Sequence, residues 1–118
     1  MMTRYFQRLL ARLQGQRPEL AAVVVDADGI GCGADRLVWH DIQRVEAYRR
    51  DAYIGDCLCL SFQGPGERWL EVSEDSPDWA SLGETVHRVL AGAMAPQDWF
   101  LRLMAAAPDQ SVNVYRAP

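Results

Sequence analysis

Cys57 and Cys59, two residues apart, have the types and spacing to do chemistry. On a strand they project from one face, so both thiolates could reach a single soft metal ion. A structural zinc site takes about four ligands and commonly uses C-x2-C spacing, and only Cys32, His40 and His87 remain to complete a set. The expectation is therefore no metal and no cofactor, with the thiols filling a sheet face as small apolar groups. A Cys/His nucleophilic pair finds no local signature either, since His40 follows Trp39 on a strand and His87 lies between Val86 and Arg88 in a helix. Two acids, Asp26 and Asp28, end the run VVVDADG. Asp28-Gly29 has the composition of a tight hairpin tip, which would leave both acids facing solvent.

The positive charge is all arginine: twelve Arg and no Lys stand against sixteen acids, for a net charge of −4. Schiff-base chemistry, a P-loop lysine and a lysine general base are thereby excluded, because arginine does not release its proton near neutral pH. Residues 1–50 hold eight Arg and six acids (+2), and residues 51–118 hold four Arg and ten acids (−6). No clustered basic face follows from that split, so nucleic acid is not an expected partner.

Two features point to protein contact instead. Tyr48-Arg49-Arg50-Asp51 ends a strand with the aromatic and guanidinium groups enriched at interfaces. Near the start of the chain, Phe6, Leu9, Leu10 and Leu13 form one helical stripe, and Arg4, Arg8 and Arg12 recur every four residues on another. That stripe must dock on the rest of its own domain or meet another chain. Arg8 and Arg12 interrupt any signal-peptide core, and no apolar run reaches the roughly 18 residues of a membrane span. With an odd number of cysteines, these features imply a cytoplasmic chain.

The elements that would position these residues change period along the chain. Gly15 and Pro18 stop the first helix. Strands are then expected over Ala21 to Asp26, Ile30 to Cys32, from Leu37 with Trp39 on the same face, Arg44 to Arg50, Cys57 to Phe62 and Arg68 to Ser73. Ser76-Pro77-Asp78 opens a helix with Trp79, Leu82, Val86 and Val89 on one face, ended by Gly92. Pro96-Gln97-Asp98 opens another, carrying Trp99, Phe100, Leu103 and Met104 and closed by Pro108, and Ser111 to Tyr115 alternates again like a strand. The expectation is one domain over 1–118 of class α+β. It would comprise an antiparallel meandering sheet of five to six strands, a short N-terminal helix and two C-terminal helices.

In the order of its segments VVVDADGI, VWHDIQRVEAYRRD, DCLCLSF and RWLEVSED, the chain resembles small uncharacterised bacterial proteins with a W-x-D-[IL]-x-x-V signature, here Trp39, Asp41, Ile42 and Val45. The same layout is similar to pleckstrin-homology-like folds, which implies a binding module. Separately, a strand ending in D-x-D resembles haloacid-dehalogenase-type phosphatases. That resemblance implies Asp26 as nucleophile and Asp28 as general acid around magnesium, at the end of a parallel strand. The chain has Ile30 where such enzymes carry threonine or valine. Two expectations result. One is a non-enzymatic protein-binding module that meets a protein partner or itself through Tyr48, Arg49 and Arg50 and through Arg4, Arg8 and Arg12, with a toxin-neutralising immunity protein as one form. The alternative is a magnesium-dependent phosphatase.

Overall fold

The computed structural model describes residues 23–32, 35–51 and 56–118. Three short strands, β1 (Val23–Val25), β2 (Gly29–Cys32) and β3 (Asp35–Val38), pair antiparallel in the order β1-β2-β3. A single turn of 3-10 helix, Trp39–Asp41, leads into β4 (Arg44–Asp51), followed by β5 (Asp56–Gln63) and β6 (Trp69–Ser73). Helices α1 (Trp79–Val89) and α2 (Pro96–Ala105) come next, and β7 (Val112–Arg116) returns to pair with β4. The second sheet therefore has the order β6-β5-β4-β7.

Alternation sorts the second sheet into two faces. Val45, Phe62 and Leu70 lie in register across β4, β5 and β6, as do Ala47, Leu60 and Val72, and all six are buried. They form the core with Leu82, Val86, Leu90, Trp99 and Leu103 from the helical region and Val114 of β7. Ile30 and Leu37, directly opposed in the first sheet, complete it. The other face carries Glu46, Ser61 and Glu71 in one row and Tyr48, Cys59 and Ser73 in the next, with Arg50 opposite Cys57.

The expected single sheet is corrected to two. Strand alternation stops at Val38, because Trp39 turns the chain: its main-chain N–H donates to the Asp28 carbonyl at 3.0 Å and its indole Nε1 donates to the Asp26 carbonyl at 3.0 Å. A buried indole thus satisfies its one donor on the hairpin behind it, and pleating does not continue into β4. The helical layout is corrected as well. Both helices of the described residues lie between β6 and β7, and the chain returns to the sheet instead of ending on helices. This also departs from the expected pleckstrin-homology-like layout, a bent sheet capped by a following helix. The expected N-terminal helix, with Arg4, Arg8 and Arg12, lies outside the described residues, as does Ala21 of the first expected strand.

Helix starts follow local chemistry with one shift. Asp98 and Trp99 open α2 behind Pro96, whose fixed φ suits the first helical position. At α1 the expected serine cap is displaced: Asp78 holds the cap position without a side-chain bond, and Ser76 instead accepts the Trp79 N–H through its carbonyl. Beyond α1, Gly92 has φ +89°, a left-handed conformation that favours glycine and lets the chain reverse into α2.

Candidate interaction surface

Helix α2 is apolar at five of the six positions from Trp99 to Met104, more than one buried face can absorb. Trp99 and Leu103, four apart, turn into the core. The diagonal one residue later then points outward, leaving Phe100 at 41%, Met104 at 43% and Leu101 at 67% exposure. Gln97 continues the stripe toward the start of the helix and is also exposed. The sequence expectation grouped Phe100 and Met104 with Trp99 and Leu103, so this stripe was missed. The detectable signal was the excess of apolar residues on so short a helix.

Depressions flank α2 on both sides. Between α1 and α2 runs a groove with Leu60 at its floor and Trp79, Gly83, Pro96, Trp99 and Phe100 around it. Trp79 and Trp99 meet edge to face there, with ring centroids 6.2 Å apart and planes at 79°, a geometry favoured by the aromatic quadrupole. Gly83 permits the approach, since a Cβ at that position would lie 2.9 Å from Cγ of Pro96. On the other side a wider depression separates the last turn of α2 from β7, lined by Met94, Arg102, Ala106 and Val112. The helix is thus a ridge bearing large apolar groups.

Of the residues expected to bind a partner, Tyr48, Arg49 and Arg50 lie on β4, and Arg4, Arg8 and Arg12 lie outside the described residues. Register puts Tyr48 and Arg50 on one face of β4 and Arg49 on the other, as alternation requires. Tyr48 and Arg49 are half-buried. Arg49 crosses the core face, and its Nη2 donates to the Ala106 carbonyl at 2.7 Å, holding the end of α2 with a cation where the helix dipole is negative. Arg50 corrects the expectation of an open surface: it is buried, and its Nη1 donates to Glu71 Oε1 at 2.8 Å. Its Nη2 faces Cys57 Sγ at 4.0 Å.

The acid pair of VVVDADG flanks an antiparallel hairpin, with Val25 opposite Ile30. Asp26 Oδ1 accepts the main-chain N–H of Asp28 at 2.9 Å and of Gly29 at 3.0 Å, and the Arg36 guanidinium at 2.8 Å. Arg36, with the Asp28 amide, holds the Asp26 carboxyl below its ordinary value. A carboxylate so engaged is a turn lock. The parallel strand end that the phosphatase resemblance requires is not what carries these acids.

Cys57 and Cys59 are buried and on one sheet face. Neither histidine joins them: His40 is largely exposed on the 3-10 turn, 3.4 Å from Asp41, and His87 Nδ1 donates to the Ala93 carbonyl at 2.8 Å. Among the described residues no group of three or more His, Cys, Asp or Glu could hold a metal ion. Among the same residues no helix is long and apolar enough to cross a membrane. The chain matches no family model, no curated protein and no solved structure.

Proposed function

We propose that this chain is a non-enzymatic protein-binding module that presents the outer face of α2 to a protein partner. The carrying observation is the contiguous exposure of Phe100, Leu101 and Met104 on one ridge. Scattered surface apolar residues are ordinary, but a large contiguous patch beside an aromatic groove is the usual mark of an interaction site. Phenylalanine and methionine are also enriched at interfaces, where a flexible thioether adapts to the opposing surface. The proposal moves the binding surface from β4 to α2, since Arg50 is engaged in an internal ion pair.

A photo-crosslinking amino acid at Leu101 in living cells of the organism that carries this chain tests the reading. Val24, also exposed at 56% but on the first sheet, is the control position. Discrete protein adducts from position 101 and none from position 24 are expected. Equal labelling from the two positions, or no adduct from 101, would overturn the proposal.

A further inference from the structure

We infer that residues 1–14 lie as a helix over the outer face of the β4-β5-β6 sheet, with Phe6, Leu9, Leu10 and Leu13 turned onto it. The Arg50–Glu71 ion pair carries the inference. Arg50 lies opposite Cys57 and Glu71 opposite Ser61, so the pair crosses β5 above Cys59 and stands outermost on that face. In the chain by itself its two side chains are nevertheless only 7% and 4% exposed. Beneath it, Cys57, Cys59 and Ser61 are all buried. An antiparallel sheet with one open face leaves that face to water, so this face is covered.

No described element supplies the cover. The helices and the first sheet pack on the opposite face, where the core cluster holds Val45, Ala47, Leu60, Phe62, Leu70 and Val72 but neither Cys57 nor Cys59. The remaining residues are 1–22, 33–34 and 52–55. Residues 33–34 join β2 to β3 in the other sheet. Residues 52–55 join β4 to β5 beyond the Asp51–Asp56 pair, and Ser61 lies five residues farther along β5, about 17 Å away. Residues 1–22 are left.

That segment has the pattern and the reach. At about 100° per residue Phe6, Leu9, Leu10 and Leu13 form one apolar stripe. Arg4 and Arg8 fall roughly opposite, so docking the stripe leaves their charges in water. A helix over 1–14 is about 21 Å long and 10 Å wide, against about 10 Å from β4 to β6. Residues 15–22, which lead to β1, can span about 27 Å, as much as the molecule's shortest extent of 27 Å. The other apolar surface, the ridge of α2, stays exposed and is therefore not the seat of the segment.

Photo-crosslinking within the purified 118-residue chain tests the placement. Leu10 is replaced by p-benzoylphenylalanine in one variant and Arg8 in another. Irradiated in dilute solution, position 10 should give an intrachain adduct that peptide mapping places on outer-face residues of β4, β5 or β6, and position 8 should give none there. An adduct from position 10 to α2 or to a second chain, or no adduct, would overturn the inference. Alkylation of Cys57 and Cys59 by iodoacetamide, located by mass spectrometry, reads the cover itself. Leu9→Asp/Leu13→Asp should speed it about tenfold or more by opening this face locally, with the near-ultraviolet circular dichroism of the Trp79–Trp99 pair retained. Arg4→Asp/Arg8→Asp should leave it within about twofold of wild type. Alkylation unchanged in the Leu9/Leu13 variant, or equally fast in both, would contradict the cover. If that variant fails to fold, the position-10 crosslink decides alone.

Discussion

Arg50 reaches across β5 to Glu71, and the two charges meet at 2.8 Å with both side chains nearly removed from water. Desolvating such a pair offsets most of its attraction, but removing one partner leaves the other charge buried and costs about 3–5 kcal/mol. Glu71→Gln and Arg50→Met are therefore each expected to lower the urea-unfolding free energy by about 3 kcal/mol, and Arg50→Met/Glu71→Leu to recover most of that loss. A second prediction concerns Asp26. Its folded carboxyl lies below the unfolded value, with the Arg36 hydrogen bond the largest cause. The stabilisation is thus fully present above the unfolded pKa of about 4 and is lost as pH falls through the folded value. Carbon-detected titration should place Asp26 below the ordinary aspartate value, and Arg36→Ala should move it upward. The alternating register of Tyr48, Arg49 and Arg50 was legible in the sequence. The burial of Arg50 was not, because its partner lies 21 residues away on another strand and a strand-end arginine reads locally as solvent-exposed.

Period-two runs located the long strands: Cys57 to Phe62 lies within β5, and the expected Arg68 to Ser73 forms β6 from Trp69 onward. The division into two sheets was not legible, because it depends on Trp39 bonding to carbonyls of Asp26 and Asp28 in an earlier hairpin. In α2 the apolar residues fill two diagonals, 99/103 and 100/104. Only the placement of the helix against β4 and β7 decides which turns inward, so helical periodicity alone could not find the surface. The joint between the helices gives a third prediction. Replacing a helical glycine by alanine ordinarily stabilises by about 1 kcal/mol, but at Gly83 the new Cβ would press on the Pro96 ring at 2.9 Å. Overpacking costs about 1–3 kcal/mol, so Gly83→Ala should destabilise by about 1 kcal/mol in urea unfolding. It should also change the near-ultraviolet circular dichroism of the Trp79–Trp99 pair.

At the scale of the whole molecule, the core joins both sheets and the inner faces of both helices, while the outer face of α2 contributes little to it. Folding and binding should therefore separate: Leu101→Arg should change the unfolding free energy by no more than about 0.5 kcal/mol, as exposed substitutions do. The most direct test of the account places the crosslinker at Gln97, one turn from Leu101 on the same stripe, and compares adduct yield in the wild-type background with that in Leu101→Arg. A shared binding face predicts that the arginine removes nearly all of the adduct. An unchanged yield, with the variant equally stable, would show that the apolar ridge of α2 is not where this protein meets its partner.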